Sequence, residues 1–405
     1  MTDAATLRPE QFALTGIRVL DLTWVFAGSV ATRMLADQGA EVIKLESARS
    51  MDPSRGGGPW LHGVNTAPDG GGTFSALNRN KLSATLNLKT PRGQELFKQL
   101  VGISDVLLNN YRAGTMKGFN LGWDVLQKLN PRLIMCEMSG MGQTGIYTKH
   151  VTYGQTLMAI AGCYELTGDP EGGPVLPGYT YADFASPTIG AFAVASALVA
   201  REKSGDGQYI DLSQFQVTAS LMAEPQFEAL VNGTIHARVG NAAASTMVHN
   251  AFRCDGDDAW AVIVVRTSEE WAALRNQVPG LPKDPANAPL TQIEKEIEAW
   301  TSTRSSQAVM ETLQDAGVEA ARVQNARDMV DSDPHLVQRE FFAWYEHLLG
   351  EQALADGVPY KMSETPGGVL RGGPAYGIHN DYVFGELLGL PQGEINALRA
   401  SGVIG

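Results

Sequence analysis

The chain has 405 residues, 44% of them apolar and 19% charged, with a net charge of −13 at neutral pH. That length suits two or three domains and a sizeable core. The acidic balance, with no basic run long enough to follow a phosphate backbone, excludes a nucleic-acid surface and leaves an acidic soluble protein as the expectation.

The opening residues, MTDAATLRPEQFALTG, have neither a basic, apolar leader nor a transit-peptide composition, and no stretch is expected to span a membrane. The expected location is cytoplasmic, without a membrane or nucleic-acid partner. Cys136, Cys163 and Cys254 are far apart and odd in number, so they read as buried thiols rather than a disulfide framework. The seven histidines show no HExxH or other ligand spacing, and no metal is expected.

In chain order, residues 17–22 form a short β-rich run, 27–40 a helix and 41–46 a second strand, a strand–helix–strand unit of the parallel type. Gly28 alone is not a GxGxxG dinucleotide fingerprint. Residues 51–72, with glycines at 56–58 and 70–72, are too Gly/Pro-rich for regular structure and read as a functional or mobile loop. A strand at 84–88 precedes a helix opened by Thr90-Pro91, and short apolar strands at 105–109 and 133–136 follow. This alternation predicts a doubly wound sheet whose ligands lie beyond the carboxyl ends of its strands.

The stretch 178–212 carries Asp183, then Ser186-Pro187 as a helix start, an Ala-rich helix over 188–200, a Gly-rich turn and a strand at 207–213. Asp183 is thereby predicted just outside a helix N-terminus, where the peptide dipoles favour a carboxylate. It reads either as a nucleophile or anion-type ligand group, or as a capping or loop-fixing aspartate. A helix over 214–230 follows. Residues 230–340 read as a separate small α+β domain, with strands at 259–265 and 318–323 and helices at 268–275, 291–300 and from 331. A last helix at 391–400 closes the chain. The expected division is a large domain over 1–225, a small one over 230–340, and a segment 360–405 returning to the large domain.

Several ordered pieces carry a resemblance: GIRVLDL at 16–22 with Ala27-Gly28, LADQGAEVIKLE at 35–46, NRNK at 78–81, LNLKTPRG at 86–93, NYRAG at 110–114, Gly207-Gln208, Arg266-Thr267, ELLGL at 386–390 and ALRASGV at 397–403. With these the chain resembles the family III CoA-transferases, the formyl-CoA and carnitine-CoA transferase family, over nearly its full length. The resemblance implies an α/β fold with a Rossmann-like large domain built from both chain ends, a smaller α+β domain, and two subunits interlocked like links of a chain. It implies CoA thioesters and a small carboxylic acid as substrates, with no permanently bound cofactor. The family's catalytic aspartate falls on Asp183, which would relay the acyl group through an aspartyl anhydride and an aspartyl-CoA thioester.

By the same resemblance, CoA contacts fall on Val25, Phe26 and Ala27, on Leu86, Leu88 and Lys89, on Asn110, Tyr111 and Arg112, with Arg49 and Tyr153 as further binding residues. Phe26 stands where the formyl-CoA type has glutamine, and Ser29 where the family has proline. Gly118 and Val151 replace basic residues that contact the nucleotide, with Arg49 and Arg55 as compensating candidates. The glycine-rich loop of that type gives way to residues 241–247. These departures motivate a homologous partner subunit as an alternative to a homodimer. The apolar Trp24-Val25-Phe26 suggests an aromatic or substituted dicarboxylate, such as a benzylsuccinate-type acid, with succinyl-CoA as donor. The rival readings are an acyl-CoA racemase, with Tyr153 at the position of that type's histidine and His150 three residues before it, and a non-catalytic subunit of a heteromer. His249 and His379 read as structural histidines.

Overall fold

A computed structural model describes residues 9–47 and 49–405. From the amino end, β1 (Arg18–Asp21), α1 (Ala27–Asp37), β2 (Glu41–Glu46), α2 (Gly72–Asn78), β3 (Leu82–Thr85), α3 (Pro91–Gly102), β4 (Val106–Asn109), α4 (Thr115–Gly118), α5 (Trp123–Leu129), β5 (Ile134–Ser139), α6 (Gly154–Ile160), α7 (Ala182–Ser204) and β6 (Gln208–Ser213) alternate as the sequence pattern predicts. The helices α8 (Gln214–Ser220) and α9 (Ala223–Asn232) follow. One helix over 214–230 was expected; instead the chain breaks near Leu221.

The six strands form one parallel sheet in the order β3-β2-β1-β4-β5-β6. The order reverses between β1 and β4, the topological switch point at which doubly wound sheets bind ligands. Both faces are covered, so the strands are nearly continuous apolar runs. Leu20, Ile43, Leu107 and Met135 pack on one face against Leu96, Phe97 and Leu100 of α3 and against Phe384 and Leu398 near the carboxyl end. Val19, Val42, Val106 and Ile134 pack on the other against Leu35 of α1 and Val194 and Leu198 of α7. Phe97 is wholly buried, and its truncation to alanine costs about 3–5 kcal/mol. The Thr90 hydroxyl caps α3 by accepting from Gly93 N, and Pro91 occupies the first helical position, as predicted.

The helix α7 begins at Ala182, earlier than its Ser186-Pro187 signal. Pro187 therefore lies inside it and brings no N–H to the carbonyl of Asp183. At 23 residues, α7 is long and apolar enough to cross a membrane by length and composition, contrary to the expectation that no stretch would be. Its inner face packs on α1 and β5, while Ile189, Phe192 and Val199 on its outer face are exposed.

Two compact units divide the chain. The first comprises residues 1–163, 178–227 and 335–405, and the second 164–177 and 228–334. Residues 164–177, assigned above to the large domain, thus group with the second unit, and 335–359 with the first. The second unit is an antiparallel sheet of β7 (Val248–Arg253), β8 (Trp260–Val265) and β9 (Glu319–Arg322). Helices α10 (Ser268–Gln277), α11 (Leu290–Thr301) and α12 (Ser306–Asp315) cover its core of Phe252, Ile263, Trp271, Ile297 and Leu313. After α13 (Ala326–Asp331) and α14 (Pro334–Gln338), β10 (Phe342–Glu346) and β11 (Gln352–Asp356) form an antiparallel hairpin, and α15 (Gln392–Ala400) is the last helix. Residues 241–247 belong to the second unit.

Candidate active site

Two neighbouring cavities open along the carboxyl ends of the strands, all of them within the first unit. One, of about 340 Å³, is lined by Val25, Phe26 and Ala27 after β1, Asn110 to Arg112 after β4, Ser139 at the end of β5, Tyr153 and Gly154 at the start of α6, and Asp183. The other, of about 220 Å³, is lined by Arg49 after β2, Leu86, Leu88 and Lys89 after β3, and Tyr111. Trp24 and Tyr111 border both, their rings in edge contact at 6.2 Å. Apart from Arg55, every binding or catalytic residue expected at the site therefore lines one cavity or the other. They straddle the switch point because β1 and β4, the strands that flank it, supply the shared wall.

Asp183 sits in the first turn of α7, and Tyr181 is the N-cap residue. The sequence reading placed it just outside the helix; here its own N–H donates to the Thr180 carbonyl. Among the described residues its carboxyl group has neither a hydrogen-bond partner nor a counter-ion, so the capping alternative is not realised. Burial pushes the carboxyl up to about 6. The dipole argument anticipated a favoured carboxylate, and desolvation outweighs it. Such a group is ionised at neutral pH yet unshielded, which is what a carboxylate nucleophile requires.

The wall opposite is made by glycine. A Cβ on Gly154 would lie within 2.5 Å of Asp183 Oδ2, so only glycine lets the carboxyl group rest there. Ser139, 3% exposed, has a hydroxyl without a protein partner at the same cavity, and the Thr152 hydroxyl there is also unpartnered. Polar atoms of this kind are matched by water or ligand. Phe26, 38% exposed, meets the ring of Phe184 edge-on at 6.3 Å.

Asn110 is turned inward. Its Oδ1 accepts from Trp24 N at 2.8 Å and its Nδ2 donates to Trp24 O at 2.9 Å, so its amide shapes the loop and has little left for a ligand. The cations that line the cavities, Arg49, Lys89 and Arg112, are exposed. Arg55 is not available for phosphate: it is 2% exposed, bridges Glu46 and Asp69 and stacks on Phe74. His379 Nδ1 accepts from Ser83 N and holds the β3 edge. His249 Nδ1 bonds the Asn241 carbonyl in the second unit. All three cysteines are buried. Among the described residues no cluster of three or more His, Cys, Asp or Glu could hold a metal.

Sequence reasoning missed Gly154 and Ser139. Gly154 could have been found only from its contact with Asp183, which is distant in sequence; Ser139 opens a Gly-rich run, SGMGQTG, at 139–145.

A doubly wound sheet with an unpaired, half-buried carboxyl group beside its switch point defines an α/β enzyme with the equipment for covalent or acid–base work. The family model described as CoA-transferase family III matches residues 14–380, and the chain belongs to that family and is a CoA-transferase. It is 35% identical over 401 residues, covering 96% of this chain and 98% of the relative, to the succinyl-CoA–D-citramalate CoA-transferase of Chloroflexus aurantiacus. It is 33% identical over 409 residues, with coverage of 96% and 98%, to the beta subunit of that organism's succinyl-CoA–L-malate CoA-transferase. A crystal structure of a CAIB/BAIF family protein from Brucella suis matches with a TM-score of 0.84 at 26% identity, covering 93% of this chain and 99% of that one.

Proposed function

We propose that this enzyme transfers CoA from succinyl-CoA to a dicarboxylic acid by covalent relay on Asp183. The observation that carries the reading is the half-buried carboxyl group of Asp183, without a protein partner among the described residues, in the cavity at the switch point. The citramalate and malate relatives, both named for succinyl-CoA as donor, support the donor and the acid class.

A carboxylate oxygen of Asp183 attacks the thioester carbonyl, the C–S bond breaks, and CoA leaves as thiolate from a mixed anhydride. The thiolate then attacks the aspartyl carbonyl, releasing succinate and leaving an aspartyl thioester. The acceptor carboxylate attacks that thioester, expelling CoA thiolate again from a second anhydride. Attack of the thiolate on the acceptor carbonyl yields the new acyl-CoA and returns Asp183 as carboxylate. Each anhydride keeps its acyl group activated, so no step needs an external energy source.

CoA lies along the carboxyl edge of the sheet, its nucleotide towards Arg49 and Lys89 and its thioester towards Asp183. Tyr153 lines the acyl end. Phe26 and Trp24 favour an acid with more apolar bulk than oxalate, up to an aromatic or alkyl-substituted dicarboxylate. The protein works as an interlocked dimer, either of itself or with a homologous subunit. The exposed Ile189, Phe192 and Val199 of α7, beside a cavity of about 710 Å³ lined by Met34, Tyr360 and Met362, support a covered surface. The relative named as a beta subunit supports the heteromer. The racemase alternative is disfavoured: Tyr153 is 69% exposed, and the Nδ1 of His150 is bonded to the Tyr147 carbonyl.

The test is mass spectrometry of the protein after incubation with succinyl-CoA, with and without hydroxylamine. A CoA adduct or hydroxamate on Asp183 is expected; the absence of both with every acyl-CoA supplied, alone and with a homologous subunit, rejects the relay.

A further inference from the structure

The loop from β1 to α1, which presents Val25, Phe26 and Ala27 to the cavity, is held by its backbone from below. Asp21 Oδ1 accepts from Thr23 N at 2.8 Å. Lys44 Nζ donates to Thr23 O at 2.7 Å. Asn110 takes both Trp24 N and Trp24 O. Asp52 accepts from Val25 N with both oxygens, at 3.2 and 3.3 Å. Asp21, Lys44 and Asp52 are each at most 1% exposed, and Lys44 is paired with Asp52 at 2.9 Å.

This clamp has a strained object. Val25 has φ of 56°, in the left-handed region, where a β-branched residue is an outlier. Such a conformation persists only where its surroundings over-determine it, and these outliers collect at functional sites. The turn at Val25 separates Trp24, which packs down on Tyr111, from Phe26, which faces Phe184 beside Asp183. Asp52 is anchored in turn: its N–H donates to Glu46, and its Oδ1 accepts from the N–H and hydroxyl of Ser54.

We propose that Asp52, bridged to Lys44, is a positioning residue that holds Val25 in the left-handed conformation and thereby sets the 25–27 backbone against the acyl-CoA beside Asp183. This rests on the CoA-transfer reading. The carboxylate suits the task because one buried group must bond a strained N–H and neutralise an ammonium that itself grips the loop two residues earlier. Burial acts against both charges, yet Lys44 holds Asp52 below the usual carboxylate range, and Asp21 and Asp52 hold Lys44 above that of lysine.

The experiment is a double-mutant cycle of Asp52→Ala and Val25→Gly. Glycine takes positive φ about as readily as negative, so a glycine at 25 needs no clamp. In the parent protein, Asp52→Ala is expected to lower kcat/KM for succinyl-CoA by roughly 10- to 100-fold. In the Val25→Gly background the same change is expected to cost less than about 3-fold, while the thermal midpoint falls equally in both. An equal kinetic loss in both backgrounds, or none in the parent, overturns the proposal. Should the alanine variant fail to accumulate, Asp52→Asn, which keeps the volume and one oxygen, is read for the same pattern at smaller amplitude. A crystal structure of either Asp52 variant gives a readout independent of activity. Val25 is expected to leave the left-handed region; φ still near its parent value overturns the proposal. If the parent protein exchanges no CoA, the transfer reading fails, and the φ measurement still decides what Asp52 does.

Discussion

Asp183 and Gly154 meet so closely that a methyl group on Gly154 would stand 2.5 Å from Asp183 Oδ2 and 2.1 Å from Thr180 Cγ2. One must shift if a side chain is added, and a displacement of about 1 Å at a reacting centre costs on the order of 100-fold in rate. Gly154→Ala should therefore cut succinyl-CoA:succinate exchange by about that factor. Exchange of labelled succinate into its thioester measures this directly, and activity near the parent's would mean that the carboxyl group has room to retreat.

In the proposed relay the reacting form of Asp183 is the carboxylate, and burial has pushed its pKa up to about 6. The single-turnover rate should hold steady above that pH and fall about tenfold per unit below it. Asp183→Asn should abolish exchange at every pH. A rate insensitive to pH between 5 and 7 would separate the titration from the chemistry.

The same shift has a consequence for stability. The folded pKa of Asp183 lies above the ordinary aspartate value of 3.8, so ionisation disfavours the fold. The penalty is complete above about 6 and fades as pH falls towards 4. Asp183→Asn removes it, and should be more stable than the parent at pH 8 by on the order of 1 kcal/mol, a figure reduced because the side chain is partly solvated. Urea unfolding should show that advantage shrinking at pH 5.

Arg49 and Arg55 should behave oppositely. Arg55→Met leaves Glu46 buried without its partner and should cost about 3–5 kcal/mol, with KM for succinyl-CoA unchanged in the folded protein. Arg49→Ala should raise that KM about 5- to 10-fold, as for loss of one charge-assisted contact to phosphate, at an unchanged thermal midpoint. Thermal unfolding and initial rates on both variants are the measurements.

Phe26 lines the Asp183 cavity and also an adjoining one of about 630 Å³ bordered by Pro59, Trp60 and Leu354. Phe26→Ala should open the first towards the second and shift the kcat/KM ratio of bulky to small acids by about 10-fold in favour of the bulky ones. A series of succinates with growing alkyl and aryl substituents reads that ratio.

The sheet was legible in the sequence because most of its strands are short, largely buried runs separated by helices of clear period, and parallel strands need little more to be recognised. The start of α7 was misread because Ser186-Pro187 carries the local signature of a helix entry, while the packing of Ala182 and Ser186 against the sheet side extends the helix past it. The β10–β11 hairpin and β7 were missed because neither shows alternation strong enough to stand apart from its loops. Asp183 and the loop residues 25–27 were singled out through the resemblance, and the fold brings them to one cavity. Arg55 was misjudged because a charge in a Gly-rich loop reads as exposed, and only the fold reveals Glu46 and Asp69 waiting for it. Asp52, Lys44 and Gly154 act through contacts distant in sequence, and no local pattern marks such partners.

The outer edge of β3 is closed by residues made long after it: Ser83 exchanges bonds with His379, Thr85 N donates to Asn380, and Asn87 N donates to the Val403 carbonyl. Between the two, the ribosome builds the whole second unit. A nascent chain therefore carries an unpaired strand edge while an independent domain emerges and folds, and such an edge is a template for pairing with another chain. Translation speed through residues 228–334 sets how long that template stays open, so synonymous codon changes far from the Asp183 codon would alter the yield of native enzyme without altering one of its atoms.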